Sequence, residues 1–256
     1  MPTEGIGKEN KMTPGQRLRV MGATAALAGV AIAGMLIGSP RGKADDRDDR
    51  DDEKDARIEQ GFDIAPVPLN LEGKNRKLVG LGSYFVNAQM DCDGCHSAGV
   101  RTEFAMGGNP YFGQKEKVNP ATYLGGGRDF GELVPPPGIG SAHIISRNLT
   151  PDKSGLPEGG NDFSTFLAIL RTGKDFDGLH PTCTGAPNPG CVPKPFDGKL
   201  LQIMPWPFYQ HLTDHDIRAI YEYLKAIPCI QGNYPGPAGL AQGIPPEPAD
   251  RCKKEE

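Results

Sequence analysis

The chain has 256 residues, with 28 Lys and Arg against 32 Asp and Glu and a formal net charge of −4. Removing residues 1–44, which hold six bases and two acids, leaves 22 bases and 30 acids, a net charge near −8. An acidic balance of this size disfavours nucleic acid as a partner and steers basic surfaces toward the chain. Only 37% of residues are hydrophobic, whereas 35 Gly and 25 Pro imply much loop.

From the N-terminus, Lys11, Arg17 and Arg19 precede an uncharged run from Val20 to Gly38, and Gly42-Lys43-Ala44 offers small residues around a cleavage point. Residues 1–44 therefore read as a signal peptide or an N-terminal membrane anchor. Either way the remainder is exported, into the periplasm or onto the outer face of the inner membrane. Asp45 to Asp55 carries eight acids and three bases. With the Pro-containing stretch after it, it reads as a disordered acidic linker over 45–73.

Leu78, Leu81, Gly82, Phe85 and Val86 recur at helical spacing and predict a helix ending just before Cys92. A glycine inside a helix costs about 1 kcal/mol relative to Ala, so Gly82 predicts close packing against another helix. Cys92-Asp93-Gly94-Cys95-His96 follows, the covalent attachment signature of a c-type haem. Two thiols three residues apart can each add to a vinyl group on one porphyrin edge, and the following His can donate a nitrogen to the iron. A thioredoxin-like pair would need a βαβ context and a zinc ribbon a second C-x-x-C, and neither is present.

Glycine and proline clusters between His96 and Asn161 predict loop without long regular elements. A second helix is predicted from Asp162, with Phe163, Phe166, Leu167 and Leu170 on one face and Gly173 as its stop. A third starts at a Thr213 cap with Asp216 in the capping-box place. It carries Ile217, Ile220, Tyr221, Leu224 and Ile227 as its stripe and ends at Pro228. His215, Arg218, Glu222 and Lys225 are its expected wet face. The tail from Gln231 to Glu256 is rich in Pro and Gly.

A haem iron held by His96 needs a sixth ligand. Met90 lies too near Cys92 in sequence, and Met106 sits in a glycine-rich loop. Met204 is followed by Pro205-Trp206-Pro207, whose restricted backbone would present a thioether with little entropic loss. Met204 is the first choice and Met106 a lesser one. Among the histidines, His143 and His211 are expected to be loop residues and His215 solvated. His180, before Pro181, is the bis-His alternative.

Cys92 to His96, Ser146 to Asp152 (SRNLTPD), Met204 to Tyr209 (MPWPFY) and Leu212 to Leu224 together resemble class I c-type cytochromes. The subgroup they resemble is the haem modules in cytochrome subunits of membrane-bound quinoprotein alcohol and sugar-acid dehydrogenases, over about Leu78 to Pro228. The resemblance implies a mostly α, loop-rich class I cytochrome c fold around one covalently bound haem c, in a domain spanning 74–230. It implies Cys92 and Cys95 as thioether sites, and His96 and Met204 as axial ligands. It also implies that the Gly82 helix crosses the Tyr221 helix. Those subunits carry three haem modules and this chain one, with an enlarged loop before Asn148 and an insertion holding Cys183 and Cys191.

The implied role is one-electron transfer between an upstream dehydrogenase and a downstream oxidase or other acceptor, not enzymatic catalysis. The alternatives are a haem subunit of a periplasmic dehydrogenase complex, or a haem with an open sixth site acting on a small molecule. The four remaining cysteines of an exported chain predict two disulfides, with the local set Cys183–Cys191 and Cys229–Cys252 favoured. Arg147 and Arg171 are candidate haem-propionate contacts.

Overall fold

A computed structural model describes residues 56–99, 101–133, 142–185, 190–232 and 247–253, all within one compact unit. The expected signal peptide or anchor over 1–44 and the acidic run 45–55 lie outside the described residues. No described helix is long and apolar enough to cross a membrane.

Residues 56–63 form helix α1, which corrects the second half of the expected linker. Ile58 and Val67 are buried, so the folded core begins well before residue 74. Helix α2 spans Arg76–Tyr84, capped by the Asn75 side chain, and continues through a π-turn over Phe85–Gln89. It packs on two sides. Toward α1, Gly61 and Gly80 meet backbone to backbone, and the Ser83 hydroxyl donates to the Gly61 carbonyl at 2.6 Å. Toward the last long helix, a Cβ on Gly82 would overlap the Ala219 carbonyl.

That last helix, α6 (Asp214–Leu224), crosses α2 through Gly82. The Thr213 hydroxyl accepts from the Asp216 N–H at 3.1 Å and the Asp216 carboxylate from the Thr213 N–H, completing the capping box. Ile217, Ile220, Tyr221, Leu224 and Ile227 are buried as the stripe requires, and so is Tyr223. The Tyr223 hydroxyl lies 2.7 Å from that of Tyr123 and accepts from Asn87. Arg218 is not simply wet: its guanidinium lies over the Phe163 ring.

Between these helices come α3 (Cys92–His96), the antiparallel strands β1 (Asp129–Glu132) and β2 (His143–Ile145), α4 (Phe163–Thr172) and the single turn α5 (Trp206–Tyr209). Asp162 caps α4 and Gly173, at φ 67°, stops it. The mostly α class I cytochrome c fold around a covalent haem is overturned. The described residues are 35% helical, with a two-stranded sheet and much loop, and show no positive sign of that fold. The sheet escaped prediction because strands of four and three residues carry too little alternation to stand out among glycines. Cys183–Cys191 and Cys229–Cys252 are the two disulfides.

Candidate functional site

Asp91, at φ 45°, opens α3 and its carboxylate accepts from the Gly94 N–H. The turn is then tied down by the loop that follows it. The Leu124 N–H donates to Asp93 at 2.7 Å, the Gly126 N–H donates to the His96 carbonyl at 2.6 Å, and Arg128 donates to the Gly94 carbonyl. Gly126, at φ 68°, lies against the backbone of Arg147 and Asn148, where a Cβ has no room. The long loop between His96 and Asn161 therefore has a structural task, holding the Cys92–His96 turn.

Cys92, Cys95 and His96 line one cavity of about 560 Å³, within the size range of cofactor pockets. Val86, Phe166, Ile169, Leu170, Ile220 and Leu224 form part of its apolar wall, and Met204 also lines it. All four sequence-predicted site residues are thus brought to one space. His96 Nδ1 lies 2.7 Å from the Arg147 carbonyl oxygen. A carbonyl can only accept, so Nδ1 carries the proton and Nε2 keeps its lone pair. A backbone carbonyl behind a ring is the arrangement that orients metal-ligating histidines. Burial lowers the His96 pKa, which keeps the imidazole neutral.

Both thiols are held in the protonated form. Burial, then the neighbouring Asp91, Cys95 and Asp93, pushes Cys92 up to about 12, and burial likewise raises Cys95. Redox-active and nucleophilic cysteines have the opposite environment, which lowers the pKa. Among the described residues there is no group of three or more His, Cys, Asp or Glu that could hold a bare metal ion. Two neutral thiols and a neutral imidazole at the edge of an apolar cavity fit the attachment of haem c.

Met204 is presented by a rigid turn. Ile203 before it is left-handed at φ 68°, and the Trp206 N–H donates to the Met204 carbonyl at 2.8 Å. The Trp206 ring covers Gly173, and its Nε1 donates to the Leu201 carbonyl at 3.2 Å. Met106 is fully exposed and away from the cavity, which removes it as a ligand. His180 lines the cavity with its Nδ1 3.1 Å from the Gly190 carbonyl, and Met90 lines it too. His143 pairs with Asp129 at 2.9 Å outside the cavity, and His211 and His215 are exposed. Arg147 reaches the cavity but is already paired with Asp175 at 2.6 Å and Asp177 at 3.1 Å. Arg171 does not reach it and holds Gln210 and Asp214.

Sequence reading missed Arg251 and Glu158. Arg251 is 5% exposed, lines the cavity and donates to the Thr150 carbonyl at 2.7 Å. The Asn148–Thr150 segment is a bolt: Asn148 Oδ1 accepts from Thr150, and the Thr150 hydroxyl accepts from the Ile230 N–H at 3.1 Å. The only sequence signal for either residue was the SRNLTPD stretch itself, which names neither. Comparison of the chain with protein-family models, curated proteins and solved structures finds no match.

Proposed function

We propose that the chain is a single-haem c-type cytochrome that transfers one electron at a time in the periplasm or at the outer face of the inner membrane. The observation that carries this reading is the convergence of Cys92, Cys95 and His96, in the C-x-x-C-H order, on one apolar cavity. Bound there, haem c would supply a ferric/ferrous couple.

The chain's own residues do the rest. Cys92 and Cys95 offer the two thiols. The Arg147 carbonyl holds the His96 ring in the tautomer that leaves Nε2 free to ligate. Met204, on a turn braced by Pro205 and Trp206, would hold the group together with His96, an arrangement that favours electron transfer over substrate chemistry. The acidic remainder of the chain favours a basic redox partner, whose association weakens with salt.

His180 lines the same cavity and supports a second reading, bis-His ligation. An optical spectrum of exported, haem-loaded protein separates them. His96/Met204 ligation gives a ferric sulfur-to-iron band, and the ferrous form does not bind carbon monoxide. Met204→Ala then loses the band, binds carbon monoxide and has a lower potential, whereas His180→Ala changes none of these. Wild-type spectra in Met204→Ala would remove Met204 as the ligand. Colourless protein without c-type pyridine-haemochrome bands would remove the haem reading altogether.

A further inference from the structure

Among the ionisable side chains of the cavity wall with no part in attaching or ligating a cofactor, Glu158 has the most unusual setting. Glu158 sits in the turn after Pro157 at φ 50°, ψ 55°, followed by Gly159 at φ 73° and Gly160 at φ 92°. A non-glycine residue in that region costs roughly 1–2 kcal/mol, so the surrounding structure must enforce it. Asn161 braces the turn, its side-chain amide donating to the Glu158 carbonyl at 2.9 Å.

The effect of the turn is to set the Glu158 side chain in the cavity wall. Its Oε2 is sealed from solvent and accepts no hydrogen bond. The nearby cation, Arg147, is already bound by Asp175 and Asp177, so a third carboxylate meets a cluster whose net charge two acids have made negative. Burial, opposed by Arg147 and Asn161 and reinforced by Asp177 and Asp175, pushes Glu158 up to about 7. The other charged or titratable groups on the cavity wall are Cys92, Cys95, His96, His180, Asp91, Tyr209 and the Arg251–Glu247 pair, joined at 3.0 Å.

Glu158 differs here from Asp93, the other acid that burial raises to about 7. Asp93 does not line the cavity, and its Oδ1 is committed to the Leu124 N–H.

We propose that Glu158 is a proton-binding group coupled to the electron, so that this site moves a proton together with each electron. This rests on the haem reading. When a donor protein passes one electron to the iron, the added negative charge favours the neutral acid, and the Glu158 carboxylate takes one proton from solvent. When the electron leaves for the acceptor, the proton is released. By linkage, protonation stabilises the reduced form, so the midpoint potential falls as pH rises between the ferric and ferrous proton affinities. Coupling between such sites is typically 5–150-fold, and a ratio of about tenfold is expected here.

The test is the midpoint potential of haem-loaded protein, measured spectroelectrochemically from about pH 5 to pH 9, a window bracketing the titration. Wild type is expected to lose about 59 mV in total, the one-electron equivalent of tenfold. Glu158→Gln should be flat across the window. Asp177→Asn should keep the fall but move it to lower pH. A flat wild-type profile, or a fall of unchanged size in Glu158→Gln, overturns the proposal.

Should Glu158→Gln fail to load haem, ferrous-minus-ferric infrared difference spectra of wild type carrying carboxyl-labelled Glu decide. A label-sensitive protonated-carboxyl band in the ferrous state supports the coupling, and its absence overturns it. Protein lacking covalent haem overturns both this proposal and the reading beneath it, whereas a red protein with a flat profile overturns this one alone.

Discussion

The helix stack of α1, α2 and α6 and the loop-built wall of the cavity are held by opposite means. In the stack, Gly61, Gly80 and Gly82 bring helix backbones together, and Val79, Ile217, Tyr223 and Leu224 fill the remaining space. Its cohesion is dispersed over many apolar contacts, each individually small. The wall is fastened at separate points: Leu124 to Asp93, Gly126 to His96, Thr150 to Ile230, Arg251 to Thr150. A dispersed core loses stability gradually. A wall bolted at single bonds loses the position of a turn when one bolt goes, and the turns it positions carry Cys92, His96 and Glu158.

The largest expected effect breaks the wall at its covalent bolt. Cys229→Ser with Cys252→Ser frees the tail that carries Arg251, and should cost about 3 kcal/mol for a loop of this length. Urea unfolding measures it, and reduction of the wild type, which also opens Cys183–Cys191, should give a shift at least as large. An unchanged midpoint would mean that the tail does not brace the wall.

In the stack, Gly82→Ala forces a methyl into the Ala219 carbonyl. Overpacking costs about 1–3 kcal/mol and the better helix propensity of Ala returns about 1, for a net loss of about 2 kcal/mol at the upper end. Thermal or urea unfolding reads the loss, and a variant more stable than wild type would show α2 and α6 free to part.

A single polar bolt comes next. Thr150→Val keeps the shape but leaves the Ile230 N–H without its acceptor, for about 1.5 kcal/mol. Its sharper readout is local: amide exchange at Ile230 should accelerate more than exchange at Tyr223 in the stack. Equal acceleration would erase the distinction between the two regions.

The remaining prediction is a pH dependence. Burial holds the Asp93 acid near 7 in the folded chain, against about 3.9 unfolded. The folded state therefore binds its proton more tightly, and stability falls as pH rises from about 4 to about 7. Asp93→Asn keeps an oxygen for the Leu124 N–H and should flatten that fall in urea midpoints measured across the window. An unaltered fall would assign it elsewhere, to Glu158 first.

Several elements are legible in the amino-acid sequence. The Asp162 cap and Gly173 stop bound α4, the Thr213–Asp216 box starts α6, and the two disulfides join cysteines only 8 and 23 residues apart. These signals act within a few turns of the chain, where spacing alone defines the partner. Helix α1 is hidden by the acidic run beside it, because composition reports average solvation and not whether Ile58 finds a surface. The class I cytochrome c fold was inferred from scattered motifs that fix residues at a site while leaving the connecting chain open. In that chain, between Asp129 and Ile145, lies the sheet.

By itself the sequence determined the chemistry available: two thiols and an imidazole in one short turn, a methionine framed by prolines, and paired cysteines. It also determined the helix faces, since a 3.6-residue period needs no partner to be read. Only the tertiary structure decided that Met204 and His180 share a cavity with His96, that Arg147 carries its carbonyl to the His96 ring, and that Glu158 Oε2 is sealed there without a hydrogen bond. Each of those facts depends on segments tens of residues apart, whose meeting follows from which backbones pack and which polar groups must be satisfied on burial.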